Sequence, residues 1–281
     1  MLTVGILTQL SIDSLDVSHY NQRLTTEKCN MRTYVFCSFK GGTAKTSSSL
    51  HLGSCLAKYH QKRVLLIDFD SQANLSTGLG IGPDSLETMV PVLRGQKKII
   101  EVIRPTCIRG LDVIAANTFL DGIESSAPLV SDLYAHERLQ RALVGLPYDF
   151  CLIDTPPSLG WLTQSAFYAA DGSIICAIPE PYSILAMNRL KEYHASIQER
   201  HSLANAGVII SFWDERGATN GAFIEAIESS FPGLLYQAKI RRDIAVNRAI
   251  LQGKPVIETE EKSRASLDYQ ELAKEFLGRI T

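Results

Sequence analysis

A run of glycine, lysine and hydroxyl residues near the start of the chain has the composition of a phosphate-binding loop. Residues 38–47 read S-F-K-G-G-T-A-K-T-S. Glycines let main-chain N–H groups come close to phosphate oxygens, and a helix N-terminus adds unpaired donors with about half a positive charge. Lys45 would reach the β- and γ-phosphates of a nucleotide, and the hydroxyl of Thr46 would bind Mg²⁺. The loop therefore predicts binding of a nucleotide through its phosphates.

The elements that position this loop can be recognised on either side of it. Residues 34–37 form a short apolar run typical of a strand, and apolar residues recur with helical spacing over residues 50–59. Strand, glycine loop and helix is the order that a phosphate-binding loop requires. The glycine positions of the common G-x-x-x-x-G-K-[ST] pattern hold Phe39 and Ala44 instead. The pattern here is K-G-G-x-x-K-[ST], with an additional lysine, Lys40, at its front.

Two further segments end in carboxylates after a continuous apolar run. Residues 63–70 read R-V-L-L-I-D-F-D, and residues 150–157 read F-C-L-I-D-T-P-P. Such runs suit parallel strands buried on both faces, and open parallel sheets bind ligands at the C-terminal ends of their strands. We therefore expect Asp68, Asp70 and Asp154 at the same edge as the loop. Phosphoryl transfer needs charge neutralisation, a metal ion and an oriented water, and these carboxylates suit that chemistry.

Together the three motifs resemble the signatures of the ParA/MinD family of deviant Walker A ATPases. The second motif continues to Gly80 as D-x-D-x-Q-x-N-L-[ST]-[ST]-G-L-G, and the third is D-T-P-P. The resemblance covers residues 31–281 and implies ATP and Mg²⁺ as cofactors. The implied site consists of a catalytic set, Lys40, Lys45 and Asp70, a metal set, Thr46, Asp68 and Asp154, and nucleotide contacts from Lys40, Gly41, Gly42, Thr43, Ala44, Lys45, Thr46, Ser47 and Arg241.

The resemblance also implies how these residues act. Asp70 would orient or activate the attacking water, Asp68 would support the metal region, and Asp154 would act on Mg²⁺ through a water. Lys40 corresponds to the signature lysine that, in this family, reaches across a two-fold axis to the partner's nucleotide. A homodimer would then enclose two ATP molecules, and hydrolysis would dissolve it.

Ala44 occupies a position at which many members of this family have glycine. If the backbone there has positive φ, alanine costs on the order of 1–2 kcal/mol. Micromolar nucleotide binding is worth about 8 kcal/mol, so we expect binding to be weakened about tenfold and not abolished, with slow turnover. A scaffold that binds ATP without hydrolysing it is an alternative, and the presence of Asp70 argues against it.

A basic segment at residues 239–254 is the candidate surface for DNA. The formal net charge is −2, from 28 lysines and arginines against 30 carboxylates, so a nucleic-acid surface must be local. The segment resembles the family's stretch before a G-K-P-V turn, and its basic residues are Lys239, Arg241, Arg242, Arg248 and Lys254. A charge run is equally typical of a solvated face, so both interpretations stay open. Arg216, in the sequence D-E-R-G, could likewise contact DNA or pair with a surface carboxylate.

Strands that alternate with helices predict an α/β fold. We expect a single doubly wound domain over residues 31–281, with a mostly parallel central sheet flanked by helices. Residues 1–30 are expected to be an N-terminal extension, either flexible or dependent on a partner, unless the chain starts at Met31. Within the domain we expect surface helices over residues 86–103, a strand over residues 234–240 and a closing amphipathic helix whose apolar face packs on the sheet.

Three functions fit the resemblance. The first is a chromosome- or plasmid-partitioning ATPase that binds DNA non-specifically as an ATP dimer, is stimulated by a ParB-like protein and acts in the cytoplasm on the nucleoid. The six cysteines are scattered with no C-x-x-C pair, and most of them lie within apolar runs, which indicates buried thiols in a reducing compartment and fits this location.

The second is a MinD-like ATPase that binds membrane through its C-terminal helix. That helix is a poor complement for anionic lipid, because it sets three carboxylates against two basic residues, so we expect no stable membrane association. The third is a metabolic or metal-transfer relative, such as nitrogenase iron protein or an arsenite-pump ATPase. Those proteins need cysteines at particular loop positions, and we find none there, so we favour the first function.

Overall fold

A central sheet of eight strands organises the part of the chain that is described. The computed structural model describes residues 31–38, 40–82, 84–123, 129, 132, 134–180 and 183–280, with the backbone alone at residues 183–186. The predicted extension at residues 1–30 lies outside them. In chain order the strands are β1 Arg32–Cys37, β2 Val64–Asp68, β3 Arg104–Pro105, β4 Leu111–Ile114, β5 Phe150–Asp154, β6 Gly172–Ala177, β7 Ala204–Trp213 and β8 Ile240–Arg241.

The strands lie side by side in the order β3-β4-β2-β5-β1-β6-β7-β8. Every neighbouring pair is parallel except β3 with β4, which is antiparallel. From β1 the chain first builds one side of the sheet and later the other, so the strand order reverses next to β1. In open α/β sheets this reversal opens the crevice that binds ligands. The predicted doubly wound, mostly parallel fold is confirmed.

Helices cover both faces of this sheet. Alternate residues of β1 belong to two separate buried clusters, because successive side chains of a strand point to opposite faces. In chain order the helices are α1 Lys45–His60, α2 Asn74–Gly78, α3 Met89–Leu93, α4 Arg138–Leu143, α5 Trp161–Ala169, α6 Ser183–Gln198, α7 Asn220–Ser230, α8 Ile244–Leu251, α9 Val256–Thr259 and α10 Arg264–Ile280. Helices α5 and α6 pack on one face, and α1 and α10 pack on the other.

The C-terminal helix α10 packs its apolar face into the core, as predicted. Tyr269, Leu272 and Phe276 are fully or almost fully buried. The ring of Phe276 makes edge contacts with Tyr34 in β1 and Phe150 in β5, at centroid distances of 5.1 and 5.6 Å. The apolar stripe that a membrane anchor would need is therefore occupied by contacts within the fold.

The strand predicted over residues 234–240 is mostly absent. Only β8 and a single bridge between Leu235 and Val208 are formed there. The backbone N–H groups of Gln237 and Ala238 instead donate to the carboxylate of Glu275 on α10, at 2.9 Å each. A carboxylate on the docked helix therefore takes the donors that a longer strand would have used in its ladder.

The prediction of surface helices over residues 86–103 is wrong about their location. Two helical segments form, α3 and a 3₁₀ turn at Ile99–Val102. Met89, Leu93 and Val102 are fully buried in the core. The basic residues that suggested a surface position lie in the exposed turn between the two segments.

The prediction that most of the cysteines are buried thiols is confirmed at four of the five described positions, and Cys29 lies outside the described residues. Cys37, Cys55, Cys151 and Cys176 are buried free thiols, whereas Cys107 is exposed. Within the described part of the chain, no helix combines the length and the apolar character needed to cross a bilayer.

Candidate nucleotide-binding site

The phosphate loop connects β1 to the N-terminus of α1, at the edge where the strand order reverses. Two of its described residues have left-handed backbone, Gly42 with φ 77° and Ala44 with φ 60° and ψ 26°. No side chain caps the first turn of α1, and the hydroxyl oxygen of Thr43 is buried without a hydrogen-bond partner in the described residues. The loop thus leaves polar groups at the end of the helix where a phosphate would lie.

The positive φ at Ala44 strains the backbone of the folded loop. The residue is held in this conformation by Ser48 N, which donates to the Ala44 carbonyl at 2.8 Å. We expect Ala44→Gly to raise the free energy of unfolding by about 1 kcal/mol in urea titrations, because glycine adopts this conformation without the Cβ clash. Gln61→Gly is the matched control, since Gln61 has φ 54° at the other end of the same helix and should give a similar gain.

A loss of stability in Ala44→Gly, with a gain in Gln61→Gly, would contradict this account of the loop. The tenfold weakening of nucleotide binding expected from the sequence stays a prediction. The ATP affinity of the same two variants tests it, since only Ala44 belongs to the phosphate loop.

Lys45 lies at the first position of α1 with its ammonium directed at the end of β5. Its side chain is only 7% exposed, it donates to the carbonyl of Thr155, and its Nζ lies 3.4 Å from Oδ1 of Asp154. Burial acts to lower the pKa of Lys45, but the negative charges of Asp154 and Asp70 outweigh it and the pKa is raised. Lys45 therefore keeps its charge in a site from which water is largely excluded.

Asp154 is fully buried at the C-terminal end of β5. Burial raises the pKa of its carboxyl, while the Lys45 charge and a hydrogen bond from the Thr46 side chain act to lower it. Its Oδ2 is buried and has no hydrogen-bond partner in the described residues. Carboxylate and hydroxyl oxygens are ligands that Mg²⁺ prefers, and it commonly keeps several waters. The unpartnered oxygen of Asp154 and the hydroxyl of Thr46 therefore fit a magnesium ion.

Asp68 lies beside Asp154, since the two residues are paired in the register of β2 and β5. Its Oδ1 accepts from Asp70 N at 3.1 Å, and its Oδ2 accepts from Ser76 N and Ser76 Oγ at 2.9 and 2.7 Å. Burial, followed by the Asp154 charge, raises the pKa of Asp68 to about 7 although these hydrogen bonds act to lower it. Asp68 thus fixes the loop that carries Asp70, and its role at the metal stays a prediction.

Asp70 is brought to the same site. Its Oδ1 accepts from Gln72 N at 3.0 Å, which holds the carboxylate in a turn. It is close enough to Lys45 and Asp154 to raise the pKa of both. The phosphate loop and the two carboxylate motifs therefore converge at one edge of the sheet.

Lys40 stands apart from this buried group, at the exposed front of the loop. Its ammonium forms an ion pair with the carboxylate of Glu180, which follows β6. Sequence reasoning missed Glu180, although one signal was available. Lys40 and Glu180 each lie three residues beyond the end of neighbouring strands.

Two residues of the basic segment are held by carboxylates. Arg241 makes a two-pronged contact with Asp268, with Nη2–Oδ1 at 2.6 Å and Nε–Oδ2 at 3.0 Å. Arg248 makes the same kind of contact with Glu260, at 2.6 and 2.7 Å. Arg241 also belongs to β8, three strands from β1 in the sheet, a separation of about 14 Å. The backbone of Arg241 is therefore separated from the phosphate loop by two strands, and the expected contact of Arg241 with the nucleotide stays a prediction.

A cavity of about 530 Å³ opens where β7 and β8 end. The guanidinium of Arg242 lies 5.0 Å from the ring centre of Phe212, and Nζ of Lys239 lies 5.4 Å from that of Trp213. Such cation–aromatic contacts hold basic side chains in place while leaving their charge available. The cavity is lined by Phe212, Trp213, Asp214, Glu215, Arg216, Arg241, Arg242 and Arg264.

Sequence reasoning missed the two aromatic residues and Arg264. Arg216 does pair with a surface carboxylate, since its Nε lies 3.6 Å from Asp214, but both side chains are highly exposed. Exposed pairs of this kind contribute little, so Arg216 stays available to another anion.

Comparison with known proteins agrees with this geometry. A family model described as "AAA domain" matches residues 31–207. A ParA family protein of Chlamydia pneumoniae is 53% identical over 249 residues, which cover 88% of this chain and 98% of that protein. The chromosome partitioning protein ParA of Caulobacter vibrioides is 34% identical over 259 residues, covering 89% and 95%.

Among solved structures, the septum site-determining protein MinD from Pyrococcus horikoshii, complexed with Mg-ADP, matches with a TM-score of 0.72 and 25% identity. The match covers 87% of this chain and 95% of that chain. A phosphate loop, two strand-end carboxylate motifs and relatives that align over nearly their whole length lead to one assignment. The chain belongs to the ParA family of partitioning P-loop ATPases.

Proposed function

We propose that this protein is an Mg²⁺-dependent ATPase that forms an ATP-sandwich homodimer, binds DNA non-specifically in that state and releases it on hydrolysis. It would act in the cytoplasm on the nucleoid, in the segregation of a chromosome or plasmid, with slow hydrolysis that a ParB-like protein stimulates. The observation that carries the proposal is the convergence of Lys45, Asp70 and the unpartnered oxygen of Asp154 at one sheet edge. The chromosome-partitioning relative from Caulobacter vibrioides supports the choice of process.

In the proposed reaction each side chain has a task set by its position. The loop N–H groups and the charged Lys45 would bind the β- and γ-phosphates, and Thr46 and Asp154 would hold Mg²⁺. When bound there, the ion would supply positive charge beside the phosphates, where negative charge develops during transfer. Asp70, held by Gln72 N, orients the attacking water. Asp68 keeps the Asp70 loop in place through Ser76.

The DNA surface that we propose is narrower than the whole basic segment. Arg241 and Arg248 would have to give up Asp268 and Glu260 before they could bind phosphate. Lys239, Arg242 and Lys254 form no ion pair within the described residues. With three phosphate contacts per protomer, a dimer would bind DNA with a salt slope of about −5, and a monomer with half of that. Dimerisation on ATP would therefore switch DNA binding on.

The test is retention of the purified protein on non-specific duplex DNA with ATP, ADP or no nucleotide, across a salt series. We expect retention only with ATP, steep loss with salt and no retention of Lys45→Gln. Arg242→Ala should reduce the steepness of the slope by about 2, since a dimer loses two contacts. Arg248→Ala, which removes a guanidinium already held by Glu260, is the matched control and should change the slope little.

Retention that is independent of nucleotide, or no retention at all, would exclude the DNA switch. The MinD-like alternative is tested on the same preparation with anionic vesicles. ATP-dependent binding to the vesicles would favour the MinD-like alternative. The burial of the apolar face of α10 leads us to expect no such binding.

A further inference from the structure

We propose that Glu180 holds Lys40 within its own protomer, and that this ion pair must open before an ATP-sandwich dimer can form. The inference rests on the proposed function, in which Lys40 reaches the partner's nucleotide. Its basis is the contact between the Lys40 ammonium and the Glu180 carboxylate, two residues 140 positions apart in the chain.

The positions of both residues are fixed by the sheet. Strands β1 and β6 are parallel neighbours, with Cys37 opposite Ile175, so the chain leaves both strands at the same edge. The carbonyl of Lys40 accepts from Ser38 Oγ at 2.9 Å. The backbone N–H of Glu180 donates to the carbonyl of Ile178 at 2.7 Å. Both side chains therefore start from anchored backbone on facing loops.

Within the phosphate loop, Glu180 pairs with Lys40 and not with the other lysine. The second lysine of the loop, Lys45, is almost buried and is engaged by Asp154 and Thr155, so it does not compete for this carboxylate. The Lys40 and Glu180 side chains are 41% and 48% exposed. An approaching triphosphate would compete with Glu180 for the same ammonium, and the freed carboxylate would repel its negative charge.

The exposure of the pair sets the size of the effect. An exposed ion pair changes an equilibrium constant by up to about fivefold. Formation of one dimer would open two such pairs, one in each protomer. The effect on the dimer dissociation constant is therefore the square of the effect of one pair, up to about 25-fold. Glu180 would therefore lower the amount of dimer at a given protein concentration without abolishing the dimer.

The experiment measures the dimer dissociation constant by sedimentation velocity, with Mg²⁺ and a non-hydrolysable ATP analogue. For Glu180→Gln, which keeps the shape of the side chain and removes its charge, we expect a dissociation constant about 2- to 25-fold lower than that of the wild-type protein. Glu271→Gln is the matched control. It breaks another exposed lysine–glutamate pair, with Lys274 on α10, in which the side chains are 60% and 64% exposed.

Two further measurements separate a positioning role from a structural one. The affinity of the monomer for the analogue should be unchanged in Glu180→Gln, and Glu180→Asp should restore a dissociation constant close to the wild-type value. Equal or weaker dimerisation of Glu180→Gln would overturn the inference while leaving the proposed function in place. A wild-type protein that stays monomeric with the analogue would overturn both.

Discussion

Replacing Asp70 by asparagine should slow ATP hydrolysis by about a hundredfold or more while ATP binding is retained. A positioned general base contributes roughly 10²–10⁴ to a rate, and asparagine keeps the shape of the side chain without its basicity. The Asp70 carboxylate is nearly buried, is held by Gln72 N and lies near Lys45 and Asp154. Its removal takes one negative charge from a site that binds phosphates, so nucleotide affinity should not fall.

Single-turnover hydrolysis of labelled ATP, together with equilibrium binding of a fluorescent ATP analogue, separates the two effects. Asp121→Asn makes the same charge change at an exposed position and should leave both quantities unaltered. Lys45→Gln should lose binding as well as hydrolysis, because it removes the charge at the phosphates. A hydrolysis rate of Asp70→Asn within about threefold of the wild-type rate would exclude a catalytic role for Asp70.

The convergence of the site could be predicted from the sequence because its causes are local. Continuous apolar runs ending at Asp68 and Asp154 identify buried parallel strands, and parallel strands present their C-terminal ends at one edge. The phosphate loop is also a local pattern, and its spacing places Lys45 at the N-terminus of a helix. The structure confirms the placement of these elements, and the chemical roles of the side chains stay predictions.

Features that depend on distant parts of the chain could not be predicted in this way. Asp268 forms an ion pair with Arg241, 27 residues earlier in the chain, and Glu180 forms an ion pair with Lys40, 140 residues earlier. The sequence shows the charge of a basic run. It does not show which carboxylates a helix from elsewhere in the chain will place next to that run. The loss of the predicted strand at residues 234–240 has the same origin, since Glu275 of that helix binds its N–H groups.

The second large effect is a dependence of folding stability on pH that arises from His51. This side chain is fully buried in α1, with Nδ1 2.7 Å from the carbonyl of Ser47 and its ring stacked on Tyr269 at 4.7 Å. Burial lowers the pKa of His51 to about 4, although the hydrogen bond to Ser47 acts to raise it. Its ordinary pKa, expected in the unfolded chain, is about 6.5.

The unfolded chain therefore binds more protons than the folded protein between these two values. The contribution of His51 to stability is present above pH 6.5 and is lost as the pH falls from 6.5 towards 4. The loss amounts to about 3 kcal/mol in the free energy of unfolding. Urea titrations at steps between pH 7.5 and 4.5 measure it.

Asp68 acts with the opposite sign throughout the same window, because burial raises its pKa to about 7 and the folded state then holds its proton more tightly. The effect of His51 must therefore be taken as the difference between wild type and His51→Gln, in which the Asp68 contribution cancels. The gap between the two stability curves should narrow by about 2.5 kcal/mol from pH 7.5 to 4.5. His60→Gln, at the partly exposed far end of the same helix, should show the same trend to a smaller extent, because burial and the charges of Lys274 and Lys62 lower the pKa of His60 as well. Parallel curves for His51→Gln would mean that the buried ring does not resist protonation, and that α1 and α10 separate enough at low pH to admit water beside Tyr269.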